Sequence, residues 1–151
     1  MYEDINSQEA NEYCQETGGN LLKNAGGRDM SYDIRIGVKV DGAEDLYAVI
    51  ARPEYDSPTY NLGEMFRKCT GWDFKQGEWY KAKDVISLIE RGRSELLLHE
   101  KEYKKYEDPD GWGTTKQARN VLEGLLDCII EQNSGTWTEN QIPLDCMYVK
   151  W

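Results

Sequence analysis

One long amphipathic stretch, from Asp108 to Asn133, constrains the fold of this chain more than any other feature of its sequence. It opens with turn-forming residues, Asp-Pro-Asp-Gly, followed by the pattern of a capping box, in which Gln117 lies three positions after Thr114. Behind the cap, apolar residues recur at alternating steps of three and one: Ala118, Val121, Leu122, Leu125, Leu126, Ile129 and Ile130. This spacing predicts a helix with one buried face, on which the rest of the domain packs.

A β-hairpin is predicted over residues 32–52. Isoleucine and valine alternate with polar residues or glycine from Ile34 to Val40, which is the period of a strand with one buried face. Asp41-Gly42 supplies a tight-turn signal. The returning strand, Leu46 to Ile50, is apolar throughout, so we expect it to be the more buried of the two.

Two further helices are predicted between the hairpin and the long stretch. The shorter one follows Asn61, its expected N-cap, and ends at Thr70-Gly71. The longer one begins at Lys81, and Gly92 interrupts its apolar face, which predicts either a close approach of a neighbouring backbone or a kink. Residues 72–80 are expected to form an aromatic loop. The apolar faces of the two helices carry Leu62, Met65, Phe66 and Cys69, and Ala82, Val85, Ile86, Ile89, Leu96 and Leu97.

The alternation from Ile142 to Trp151 predicts a final strand, with Pro143 as its first residue. The order ββαααβ predicts an α+β fold, a small antiparallel sheet made of the β-hairpin and this C-terminal strand, with about three helices packed on one face. We expect residues 30–151 to form a single domain. Residues 1–29 are acidic and poor in large apolar side chains, and are expected to form a loosely attached arm or short helix. A dimer contact through the arm or the final strand stays open.

The charge of the chain excludes several functions. Its formal net charge is −10, from 28 acidic and 18 basic residues, which argues against direct binding of nucleic acid or of an anionic membrane. Neither a signal peptide nor a membrane-spanning apolar run is present, so a cytoplasmic protein is expected. The four cysteines are isolated from one another, and we expect them to be reduced and mostly buried as small apolar side chains.

The sequence holds no recognisable catalytic, metal-binding or cofactor-binding pattern. His99 is the single histidine, and it lies in a charged helical segment where nothing pairs it with a nucleophile. Neighbouring carboxylates are unavoidable in so acidic a chain and carry no catalytic information. Gly111-Trp112-Gly113 precedes a helix start, where anions can bind, although a turn packed by Trp112 is the more ordinary explanation. We therefore expect no enzyme activity, no metal and no cofactor.

Aromatic residues are the more suggestive feature, because the chain has ten tyrosines and five tryptophans, many of them in predicted loops. Such side chains are enriched at interfaces, and together with the acidic charge they fit a surface that binds a basic groove of another protein. The alternative is that they fill a small core. The candidate partner-binding residues are Glu54, Tyr55, Asp56, Tyr60, Trp72, Asp73, Glu78, Trp79, Glu107, Asp108, Asp110 and Trp112.

Three short motifs carry a resemblance: Ser57-Pro58-Thr59-Tyr60-Asn61-Leu62, Lys81-Ala82-Lys83-Asp84 and Gly111-Trp112-Gly113. On these motifs, residues 31–132 resemble a family of short proteins found in phages, plasmids and their bacterial hosts. The chain departs from the family pattern at Asp110, where asparagine is usual, and it lacks the histidine that many members place before the asparagine of the first motif. The resemblance implies a mobile-element setting, in which small acidic proteins block host defence nucleases, as anti-CRISPR proteins do.

These observations favour a non-catalytic inhibitor of the anti-CRISPR or other anti-defence type, an acidic DNA mimic that binds a basic, nucleic-acid-handling effector. One alternative is a small-ligand or nucleotide-binding protein that uses the loop from Tyr55 to Asn61 with Trp72 and Trp112. Another is an immunity protein or antitoxin, which shares the acidic surface but pairs with one toxin.

Overall fold

A computed structural model of the chain describes residues 31–135 and 141–151. The predicted N-terminal arm, residues 1–29, lies outside the described residues. The helices and strands follow one another as β1 (Arg35–Lys39), β2 (Tyr47–Ala51), α1 (Gly63–Thr70), β3 (Trp79–Lys81), α2 (Ala82–Leu98), α3 (Glu100–Tyr103), α4 (Thr115–Ser134) and β4 (Met147–Lys150). Short 3-10 turns occupy Tyr60–Leu62, Lys104–Tyr106 and Leu144–Cys146.

The strands form one antiparallel sheet in the order β2-β1-β4-β3, so the predicted α+β class is confirmed. The last strand of the chain lies in the middle of the sheet, where Val149 pairs with Ile36 of β1 on one side and with Tyr80 of β3 on the other. β4 is shorter than predicted, because Pro143 is followed by a 3-10 turn instead of beginning the strand.

Strand β3 was not predicted, since Trp79 and Tyr80 were assigned to the aromatic loop and Lys81 to the start of the longer helix. It has three residues, too few to display an alternation, and it forms only because β4 offers a free edge beside it. The observed order therefore has a fourth strand between the first two helices.

Strand β2 contradicts the expectation that it is the more buried half of the hairpin. The side chains of Leu46, Val49 and Ile50 are 53%, 49% and 37% exposed, whereas Ile36 of β1 and Val149 of β4 are fully buried. The physical reason is its place at the edge of the sheet, outside the part that the helices cover. An uninterrupted apolar run is typical of a strand buried on both faces, and here that pattern misleads.

Helix α4 begins with the predicted capping box. Thr114 Oγ1 accepts a hydrogen bond from the Gln117 backbone at 3.1 Å, and Gln117 Oε1 accepts one from the Thr114 backbone at 3.0 Å. The helix ends at Gly135, whose φ of 73° is left-handed. Its predicted apolar face is buried except for Ile130, which is exposed.

Gly92 marks the point where α2 crosses α1 and α4. A Cβ atom added there would lie 2.5 Å from Cγ2 of Thr70 and 2.9 Å from Cδ1 of Leu122. The predicted approach of a neighbouring backbone is therefore wrong, because the atoms that crowd Gly92 belong to side chains. Leu97, predicted on the buried face of α2, is exposed.

An aromatic core, defined here as Tyr32, Phe66, Trp72, Phe74 and Trp151, fills the space between the sheet and α1. The ring of Trp151 stacks on Phe74 at a centroid distance of 4.6 Å and meets Phe66 edge-on at 4.8 Å. Tyr32 and Trp72 complete the enclosure of Trp151, with ring centroids 6.0 Å and 5.6 Å from that of Trp151. Part of the aromatic richness of the chain is thus used to build the core.

Candidate protein-binding surface

Two distant segments meet at the side chain of Asn61. Its Nδ2 donates a hydrogen bond to Asp108 Oδ2 at 2.9 Å and another to the carbonyl oxygen of Trp112 at 3.2 Å. Asn61 is therefore not the N-cap of α1, contrary to the prediction. Thr59 Oγ1 accepts a hydrogen bond from the Asn61 backbone N–H at 3.2 Å and caps the 3-10 turn Tyr60–Leu62. We call Asn61, Asp108, Asp110 and Trp112 the turn surface.

The backbone of the turn is fixed by local hydrogen bonds. Asp108 Oδ1 accepts from the Asp110 backbone at 2.7 Å, and the Asp108 carbonyl accepts from Gly111 at 3.0 Å. Gly111 and Gly113 have left-handed φ angles of 85° and 106°, which favour glycine. The Gly113 backbone also donates to Gln117 Oε1 at 2.8 Å. The turn is thus held in one conformation before anything binds to it.

Three backbone nitrogens at the start of α4 already donate to acceptors within the protein. Gly113 and Thr114 both donate to Gln117 Oε1, and Thr115 donates to Glu107 Oε2 at 2.8 Å. A carboxylate of the protein itself thus occupies the positive end of the helix. These acceptors occupy the candidate anion site, and the carboxylate of Glu107 caps the helix.

The indole ring of Trp112 is 67% exposed. This contradicts the expectation that Trp112 pins the turn, a role that the hydrogen bonds of Asn61 and Asp108 perform instead. A tryptophan exposed to this degree on a fixed backbone offers a large amphipathic contact area to a partner. The carboxylate of Asp110, next but one in sequence, is exposed as well.

The predicted loop residues Glu54, Tyr55 and Asp56 divide between surface and structure. Tyr55 is exposed and holds a left-handed φ of 63°, a strained conformation for a side chain of this size. A Cβ atom added at Gly124 of α4 would lie only 2.7 Å from the carbonyl oxygen of Glu54. The loop therefore packs directly against α4. Asp56 is used internally, because its Oδ2 accepts a 2.9 Å ionic hydrogen bond from Arg35.

Trp72 is wrong as a partner-binding residue. Its side chain is 6% exposed and belongs to the aromatic core, where it also contacts Tyr80 edge-on at 5.1 Å. Tyr60 is half-buried against Tyr32, with its hydroxyl accepting a hydrogen bond from Gln76. The burial of Trp72 also removes one wall of the small-ligand site expected between Trp72 and Trp112.

Trp79 lies on the face of the sheet opposite the helices, as part of an outer aromatic group that we define as Tyr47, Trp79 and Tyr148. Its ring stacks on Tyr47 at 4.9 Å, and Tyr47 meets Tyr148 edge-on at 4.9 Å. Gly37 makes room for the stack, since a Cβ there would lie 2.8 Å from Cη2 of Trp79. Lys150 Nζ is 5.7 Å from the Trp79 ring centre.

Tyr47 and Tyr148 were not among the predicted site residues. The signal that identifies them is strand alternation, because Tyr148 is adjacent to the buried Val149 and must therefore point to the opposite face. Asp73 and Glu78 are exposed near the ends of the loop before β3. The structure therefore groups Asp108, Asp110 and Trp112 and separates them from Trp79.

Hydrogen bonds and burial explain the pKa shifts of Glu100, Cys69 and Cys128. A hydrogen bond from Thr115 Oγ1, followed by one from Lys104, lowers the pKa of Glu100. Burial raises the pKa of both Cys69 and Cys128 to about 12, so these thiols stay protonated. Cys146 is an exposed free thiol. Within the described residues, no three His, Cys, Asp or Glu side chains are grouped to hold a metal ion.

No helix in residues 31–135 or 141–151 is long and apolar enough to cross a membrane. Comparisons of the chain with protein-family models, with curated proteins and with solved structures find no match. The resemblance to the mobile-element family therefore stays a prediction.

Proposed function

We propose that this protein is a non-catalytic inhibitor of the phage or mobile-element type, an anti-CRISPR or other anti-defence protein that acts in the host cytoplasm. It would bind a basic, nucleic-acid-handling effector through the turn surface. The observation that carries this proposal is the exposed ring of Trp112 on a turn already fixed by hydrogen bonds. An anchor that is ordered before binding avoids much of the entropy cost of association.

Charge supports the same choice of partner. The chain carries a net charge of −10, and Asp108 and Asp110 lie in the same turn as Trp112. Lysine or arginine side chains of a basic groove complement this arrangement, and an arginine can also stack on the ring of Trp112. Long-range attraction between an acidic protein and a basic groove speeds association and makes it sensitive to salt.

A protein partner is favoured over a nucleotide at this position. The backbone nitrogens that would bind a phosphate at the start of α4 already donate to Gln117 and Glu107. The carboxylates beside Trp112 repel a phosphate as well. These features leave the apolar ring and the negative charge as the means of recognition.

The test uses purified CRISPR effector nucleases together with basic bacterial nucleases. We expect an excess of this protein to block DNA cleavage by at least one of them, with association slowed by about tenfold or more between low and high salt. Trp112→Ala should weaken the complex by about thirtyfold, the cost of removing an anchor residue. Leu98→Ala removes an equally exposed apolar side chain from the end of α2 and should change nothing. Unimpaired cleavage across the whole panel would contradict the proposal, and so would binding that salt leaves unchanged.

A further inference from the structure

The outer edge of β2 is a strand edge that pairs with no other strand among the described residues. The Val40 backbone nitrogen donates to the Leu46 carbonyl at 2.8 Å, which directs the backbone groups of Leu46 and Ala48 towards β1. In an antiparallel pair these directions alternate, so the N–H and C=O groups of Tyr47 and Val49 point away from the sheet. The backbone groups of Tyr47 and Val49 can therefore form hydrogen bonds with a further strand.

The side chains of β2 lack the usual protection of a strand edge. Its sequence, Tyr-Ala-Val-Ile-Ala, contains neither a charge nor a proline, although edge strands of soluble proteins normally carry one or the other. Exposed apolar side chains lie on both faces, Val49 on the outer face and Leu46 on the helix face, and Ile50 is exposed as well. The register shift between Ile36 and Gly37 leaves Ile50 without a partner in β1, whereas Tyr47 to Val49 pair regularly with Lys39 to Gly37.

We propose that β2 pairs antiparallel with β2 of a second copy of this chain, about a two-fold axis that passes through Ala48. In this register Tyr47 of one copy lies opposite Val49 of the other, and these residues exchange about four backbone hydrogen bonds across the axis. Ala48 meets its own counterpart, and its small side chain permits the close approach of a non-hydrogen-bonded pair.

Charge does not oppose this pairing. The strand itself is uncharged, which matters because two copies of an acidic chain repel one another elsewhere. The outward N–H and C=O groups of Tyr47 and Val49 find their complements in the same strand of the second copy, as a two-fold interface requires.

The interface is small, since it consists of one short strand from each copy, so a weak and reversible dimer is expected. Sedimentation equilibrium from micromolar to millimolar concentration should show a monomer–dimer equilibrium. Val49→Lys places two ammonium groups near the axis and should weaken the dimer by about tenfold or more. The matched control, Leu98→Lys, adds the same charge on α2 and should leave the dimer intact. Circular dichroism of both variants checks that the fold is retained.

A second measurement tests the register itself. Ala48→Cys, made in a chain with Cys14→Ser and Cys146→Ser, should form a disulfide-linked dimer in a glutathione redox buffer, because the two Cβ atoms lie about 5 Å apart in this pairing. Leu98→Cys in the same background reports random collision and should link at least about tenfold more slowly. The proposal is overturned by a wild-type chain that stays monomeric at millimolar concentration, by a Val49→Lys dimer as strong as wild type, or by equal linking of the two cysteine variants.

Discussion

The aromatic core and the turn surface use tryptophan in opposite ways. Trp151 is enclosed by rings that come from distant parts of the chain, with Phe74 stacked on it at 4.6 Å. The ring of Trp112 is exposed, and what is fixed is its backbone, through hydrogen bonds of Asn61 and Asp108. A high aromatic content therefore says little about interfaces by itself. The local structure determines whether a tryptophan is buried. Strand alternation directs the side chain of Trp151 into the core, and a turn that contains glycine leaves Trp112 exposed.

The largest expected effect is the loss of Trp151. Trp151→Ala removes a fully buried ring and leaves a cavity, so we expect the free energy of unfolding to fall by about 3–5 kcal/mol. Trp112→Ala should change it by no more than about 0.5 kcal/mol, as for other surface substitutions. Urea unfolding of the two variants measures both values. Similar decreases in the free energy of unfolding for the two variants would contradict the buried role of Trp151 and the exposed role of Trp112.

The core should also resist added volume. Gly92→Ala raises helix propensity by about 1 kcal/mol, but its methyl group would collide with Thr70 and Leu122. We expect overpacking to prevail, with a net destabilisation of about 1–3 kcal/mol in urea unfolding. Ser94→Ala, at an exposed position of the same helix, is the matched control and should be neutral or slightly stabilising. A Gly92→Ala variant more stable than wild type would refute the close crossing.

The buried thiols make the core sensitive to alkali. Burial raises the pKa of Cys69 and Cys128 to about 12, whereas an unfolded chain releases these protons near the ordinary thiol value. Their contribution to stability is therefore complete below the unfolded value and declines as the pH rises towards the folded one. We expect a loss of up to about 1.4 kcal/mol per pH unit for each thiol. Urea unfolding across alkaline pH should show a flatter dependence for the Cys69→Ala, Cys128→Ala double variant.

The turn should respond to the loss of hydrogen bonds. Asn61→Ala removes the donor to Asp108 and to the Trp112 carbonyl, and we expect a loss of about 1 kcal/mol in the free energy of unfolding. Asn61→Asp keeps the shape but sets a second carboxylate against Asp108, so it should be at least as destabilising. If Asn61→Asp is as stable as wild type, the side chain of Asn61 does not hold the turn.

The smallest effect on stability is expected at Asp110. Asp110→Asn removes an exposed charge and should change the free energy of unfolding by less than about 0.5 kcal/mol. Its effect should appear as slower association with a basic partner at low salt. Asp127→Asn, at an exposed position of α4, removes the same charge away from the turn. Equal rates for the two variants would mean that net charge, and not the turn surface, governs association.

Local patterns made α1, α4 and the β-hairpin predictable, because apolar periodicity, the capping box of α4 and the glycine that ends α1 are encoded within each segment. The features that the sequence did not reveal depend on partners far away along the chain. Strand β3 exists through its pairing with β4, and the side chain of Trp72 is buried by rings from elsewhere. Of the candidate site, Asp108, Asp110 and Trp112 were predictable because they lie in one turn. Their contact with Asn61 was not.

The central place of β4 has a consequence for how the protein is made. Ile36 of β1 pairs with Val149 of β4, which lies far from it in the sequence. A ribosome must therefore translate all the residues between Ile36 and Val149 before the sheet can close. At ordinary translation speeds this interval lasts about ten seconds. The hairpin and the helices emerge during this time with their apolar faces uncovered. We therefore expect nascent chains of this protein to bind chaperones until β4 has left the ribosome.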